Sequence, residues 1–104
     1  MAGPGYHMFR AQWKEAWFQL SKEERASIFG KLEEAMKKAG GKSMLTCDSS
    51  WNSEHWWFWG VEEYPSIEAV QEHSNLLNEL EWLRYVDSET LLGTAVPQNS
   101  DCGS

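Results

Sequence analysis

Apolar and polar positions alternate from Tyr6 to Lys14, with His7, Phe9, Ala11 and Trp13 on one side and Tyr6, Met8, Arg10 and Gln12 on the other. This period of two predicts a strand. Glu15 to Leu20 breaks the alternation and reads as a connector carrying Trp17, Phe18 and Leu20. Ser21 and Glu24 then form S-x-x-E, a capping box that opens a helix. Ile28, Phe29, Leu32, Ala35, Met36 and Ala39 mark its buried stripe, Lys37 and Lys38 suit its last turn, and Gly40-Gly41 ends it. Lys42 to Asp48 is a short second strand. The polar run Ser49 to Ser53 leads from it into an aromatic strand beginning near His55, the spacing of an antiparallel hairpin.

On that third strand His55, Trp57, Trp59 and Val61 share one face, and Trp56, Phe58, Gly60 and Glu62 the other. Both faces are built to be covered. Pro65 marks a corner and Ser66 caps the next helix, with Glu68 in its first turn and Ile67, Val70, Leu77 and Leu80 at helical spacing. His73 falls on the same stripe. Asn78 is placed to cap a further short helical turn holding Leu80, Trp82, Leu83 and Tyr85, and a last strand spans about Ser88 to Ala95. The order β-α-β-β-α-(α)-β is that of an α+β, ferredoxin-like split βαβ domain: a four-stranded antiparallel sheet with its helices on one face. Residues 1–5 read as a flexible lead-in, 6–96 as a single domain, and 97–104 as a disordered polar tail.

Composition alters this picture in three ways. A chain of 104 residues, 41% hydrophobic, builds one modest core, burying about 60–70% of its unfolded surface. Seven Trp supply more apolar surface than that core readily hides, which argues for a homodimer or a hydrophobic pocket. A net charge of −7 works against nucleic acid and anionic membranes as partners, since both need a positive field. No segment approaches the ~18 apolar residues of a membrane span, and the start MAGPGYHMF lacks a signal-peptide pattern. A soluble, cytoplasmic protein is expected. Cys47 and Cys102 do not suggest a disulfide framework.

The stretch FWGVEEYPSIEAVQEH (Phe58 to His73), an aromatic strand followed by Ser-x-x-Ala and His, resembles the dimeric α+β barrel superfamily. That superfamily includes the antibiotic-biosynthesis monooxygenases, stress-responsive barrel proteins, small polyketide cyclases, muconolactone-type isomerases and haem-degrading monooxygenases. The segments Trp17 to Arg25 and Glu81 to Gly93 look more like a branch without assigned activity. The resemblance covers about residues 6 to 95 and implies the fold, a homodimer formed by the sheet faces away from the helices, and a pocket between sheet and helices. Haem-degrading members use an Asn on the first strand, and none lies between Tyr6 and Lys14. No cofactor is therefore expected, haem included.

His73 is the leading candidate for a general acid or base in an apolar pocket, against a structural role at the helix-sheet boundary. Arg10 must find a carboxylate, with Glu62 on the adjacent strand as an internal partner, or else anchor a substrate oxyanion. His55 completes the catalytic candidates. Trp57, Trp59, Phe9, Trp82 and Tyr85 are the candidate substrate-binding residues, although an aromatic stripe at strand spacing is more often core. A metal site is not expected, because His7 and His55 lie at opposite ends of paired antiparallel strands, roughly 15–20 Å apart. An RNA-recognition module, which shares the element order, is set aside for want of its aromatic-basic signature. The expected function is cofactor-independent oxygenation, isomerisation or cyclisation of a small aromatic or polyketide-like molecule. The alternative is a non-catalytic homodimer that binds a hydrophobic molecule or serves a regulatory role.

Overall fold

The computed structural model describes residues 3–96. Four strands, β1 (Gly5–Trp13), β2 (Lys42–Asp48), β3 (Phe58–Tyr64) and β4 (Val86–Thr94), form one antiparallel sheet in the order β2-β3-β1-β4. Helices α1 (Glu15–Phe18), α2 (Lys22–Lys38) and α3 (Ile67–Glu79) and a 3₁₀ turn (Trp82–Arg84) complete the chain. The fold is the expected ferredoxin-like α+β arrangement, with α2 and α3 on one face of the sheet. The lead-in expected over residues 1–5 is described only from Gly3, and Gly5 already belongs to β1. The tail expected over 97–104 lies outside the described residues.

Local signals place the helices. The Ser21–Glu24 capping box forms in full: Glu24 N–H donates to Ser21 Oγ at 3.1 Å, and Ser21 N–H donates to Glu24 Oε1 at 2.8 Å. Two donors that the first turn would otherwise leave bare are thereby satisfied. Gly40, at φ 82°, takes the left-handed conformation that stops α2. Ser66 caps α3 by accepting from Ala69 N–H at 3.1 Å.

Several elements differ from expectation, β4 among them, which runs Val86–Thr94 and so starts two residues early. Glu15–Phe18 is a single helical turn rather than an irregular connector, and its Trp17 is buried. The 3₁₀ turn is preceded by Glu81 at φ 56°, not capped by Asn78. The aromatic strand starts at Phe58, three residues later than expected, because Ser49 to Trp56 is held as a loop by its own hydrogen bonds, with Trp57 N–H donating to Ala11 O of β1 at 2.9 Å. Ser53 Oγ accepts from the backbone N–H of both His55 and Trp56, and Ser49 Oγ donates to Trp56 O. Such side-chain bonds compete with the sheet ladder for the backbone.

Two apolar clusters hold the helices to the sheet. Ala39, Tyr64 and Val70, joined by Met36 and Ala69, close the end where β3 turns into α3. At the other end Trp13 stacks on Trp17 with centroids 4.1 Å apart and planes 10° off parallel, and Phe29, Trp82 and Tyr85 meet Trp17 edge-on. The space between the two clusters is not filled.

Candidate functional site

Strand parity decides what enters that space. The β1–β3 register pairs His7 with Glu62, Phe9 with Gly60 and Ala11 with Phe58, so these side chains face the helices. Met8, Arg10, Trp59 and Val61 face the other way. Gly60 has no side chain because one would meet Leu45 O at 2.8 Å and the Phe9 ring at 2.9 Å. The result is a cavity of about 1070 Å³ between sheet and helices. Phe9, Trp13 and Phe58 floor it, Phe29, Leu32 and Met36 of α2 and Leu77 of α3 wall it, and Trp57 and Trp82 also line it. Phe29, on the buried stripe of α2, is 49% exposed because it faces this opening rather than packed core.

One corner of the cavity is polar. His7 Nδ1 lies 3.0 Å from Glu62 Oε1, and the Tyr64 hydroxyl donates to the same oxygen at 2.8 Å. His73 comes down from α3 onto this pair, its ring centroid 5.2 Å from Tyr64 and 6.1 Å from His7. It is 4% exposed, and its Nδ1 has no hydrogen-bond partner among the described residues. One ligand-capable atom from each of His7, Glu62 and His73 lies within 4.8 Å of the other two.

Electrostatics set the protonation of the cluster. Burial pushes the Glu62 carboxyl up, but hydrogen bonds from His7 and Tyr64 and the positive charge available on the two histidines outweigh it and hold it below its usual value. Burial, reinforced by the neighbouring Glu62 charge, drives the Tyr64 phenol far above its ordinary range, so it remains a donor. Burial lowers the His73 imidazole, with the Glu62 carboxylate opposing and His7 assisting. At neutral pH the corner therefore holds an anionic carboxylate, a protonated phenol and a neutral His73 imidazole.

The candidates named from the sequence are divided by this geometry. His73, Phe9, Trp57 and Trp82 line the cavity. Trp59 lies on the opposite sheet face, so it does not form a slot with Trp57, whose own parity is broken by the late start of β3. Arg10 is also on the helix-free face. It pairs with Glu89 of β4, donating from Nε at 2.9 Å, and lies over the Trp56 ring at 4.7 Å, rather than pairing with Glu62. The register explains why: Arg10 opposes Trp59, while Glu62 opposes His7. His55 is exposed in the loop, edge-on to Trp56. Tyr85 packs on Trp17 and does not line the cavity.

Sequence reasoning missed His7, Glu62 and Tyr64 as a group. The signal was present: antiparallel pairing of β1 with β3 brings the start of one strand to the end of the other, where His7 and Glu62 share a face.

No family model matches the chain, and no curated protein matches it. Among solved structures, chlorite dismutase from Candidatus Nitrospira defluvii in complex with imidazole superposes with a TM-score of 0.75 at 13% identity, covering 99% of this chain and 44% of that one. The chain thus spans less than half the length of that relative. A protein of unknown function from Rhodopseudomonas palustris superposes with a TM-score of 0.66 at 20% identity, covering 91% of this chain and 84% of that one. At these identities the likeness shows the ferredoxin-like α+β fold.

Proposed function

We propose that this chain is an enzyme acting on a small aromatic or polyketide-like molecule in the cavity between sheet and helices, with His73 as the general base. The observation that carries this reading is the largely buried His7–Glu62–His73 cluster at one corner of a cavity floored and walled mainly by aromatic and aliphatic side chains. Small-molecule sites have this composition: an aromatic wall for area and a few convergent polar groups for orientation and chemistry. Isomerisation and cyclisation need only that a proton be taken from one atom and returned to another, which a neutral imidazole beside a carboxylate supplies. Oxygenation would need dioxygen as a further reactant.

In this reading the flat face of the substrate lies against Phe9 and Phe58. His73 removes the proton, Glu62 stabilises the imidazolium that forms, and Tyr64 and His7 hold Glu62 in place. Active-site titrating groups are commonly shifted by burial and by one specific charge, as His73 is here.

We further propose that two copies pair through the helix-free sheet face. Met8, Leu45 and Leu91 are 40%, 51% and 65% exposed there, beside the half-buried Trp59 and Val61. A face of this kind is costly to leave wet.

The test is turnover of a metabolite mixture followed by mass spectrometry, with tryptophan quenching as the binding readout. His73→Gln is expected to leave affinity nearly intact and to lower the rate by about 10²–10⁴. A chain that quenches with aromatic ligands but converts none of them is a binding protein, and the enzymatic reading then falls.

A further inference from the structure

We infer that His7, Glu62 and His73 form a binding site for a divalent transition-metal cation. Two imidazoles and one carboxylate are a donor set suited to zinc, cobalt, nickel or iron rather than to magnesium or calcium, which favour oxygen alone. The three groups come from three elements that the fold holds in fixed relation: His7 on β1, Glu62 opposite it on β3, and His73 on α3. Their candidate ligand atoms are all within 4.8 Å of one another. Bond lengths of about 2.0–2.2 Å in a tetrahedral site place donors about 3.4 Å apart. Closing on a cation therefore asks for side-chain shifts of about 1 Å, not for a backbone rearrangement.

Two further observations point to a ligand. His73 is 4% exposed, yet its Nδ1 has no hydrogen-bond partner among the described residues, an uncommon condition for a buried polar atom. Glu62 is held by the Tyr64 hydroxyl at 2.8 Å, the outer-shell hydrogen bond that orients a ligating carboxylate. All three side chains line the cavity, so three protein donors would leave a fourth position facing it. That is how open metal sites are built.

The inference uses the residues of the proposed active site but does not rest on its reaction. A metal and a proton compete for the same imidazole lone pairs, so the proton transfer proposed above belongs to the metal-free form.

The experiment is titration of the chelator-treated chain with cobalt(II), read by visible absorption, and with zinc, read by calorimetry, with no substrate present. One cation per chain is expected, bound at micromolar or tighter and not displaced by millimolar magnesium. His73→Gln and Glu62→Gln should each weaken binding by at least about 100-fold, with folding checked by circular dichroism, whereas His55→Gln should bind as wild type. Absence of saturable uptake below millimolar metal overturns the inference. So does unchanged binding in both His73→Gln and Glu62→Gln. Either result is read without reference to turnover, so the failure of this site and the failure of the enzymatic reading are separately visible.

Discussion

Replacing His73 by Leu should stabilise the fold. Its Nδ1 is buried without a partner among the described residues, and a polar group so placed costs about 1–3 kcal/mol. Leu fills a similar volume with no polar atom, against Tyr64 and Val70, which are each 1% exposed. Shape mismatch returns about 1 kcal/mol of the gain, so the net is about 0–2 kcal/mol in favour of the variant. For a domain near 100 residues each kcal/mol moves the melting midpoint by about 4–8 °C. The size of the gain also depends on pH. The His73 imidazole titrates below its usual 6.5 because burial disfavours its charge, so the unfolded chain takes up the proton first and wild-type stability falls as pH drops from 6.5 through the folded value. His73→Leu removes that loss, and its advantage should widen between pH 7.5 and pH 5. Thermal melts of metal-free protein at both pH values measure it. A variant less stable than wild type at pH 7.5 would refute the reasoning, because it would mean that Nδ1 is satisfied in solution.

Glu62 should govern a second acid limb: its carboxyl lies below its usual 4.5, so the stability it contributes is present above that value and is lost as pH falls through the folded one. Tyr64→Phe removes one of its donors and should shift this limb to higher pH, as followed by carbon NMR of the Glu62 carboxyl. Gly41→Ala should destabilise by about 1–3 kcal/mol in urea melts, because its Cβ would press on the Tyr64 ring, with two ring carbons at 2.7 Å. Light scattering at micromolar concentration should report twice the 12.0 kDa chain mass, and a monomer would remove the proposed sheet-to-sheet pairing.

The helices could be read in the sequence because their signals are local. Ser21 with Glu24, Ser66 with Ala69, and the Gly40 stop each act within a few residues, and each forms as read. The alternation in β1 also sufficed to place His7 and Phe9 together on one face. What resisted reading was non-local or competitive. His55 and Trp56 alternate properly for a strand, yet Ser53 captures their backbone and delays β3, which separates Trp57 from Trp59. The Arg10 partner depended on comparing parity across two strands, and that comparison sends Glu62 to the opposite face. The metal-capable corner was overlooked because the histidine pair considered was His7 with His55, whereas the helix, not the loop, brings the second imidazole to Glu62.

The stacked pair Trp13 and Trp17 gives the molecule an optical property tied to the cavity. Two indoles 4.1 Å apart couple their electronic transitions, and where their in-plane axes are twisted against one another such coupling produces a paired positive and negative band in ultraviolet circular dichroism. Trp13 also lines the cavity and meets Phe58 at 4.8 Å. A ligand that enters and turns this one ring would change that coupling, so occupancy of the cavity has a second intrinsic reporter beside tryptophan quenching.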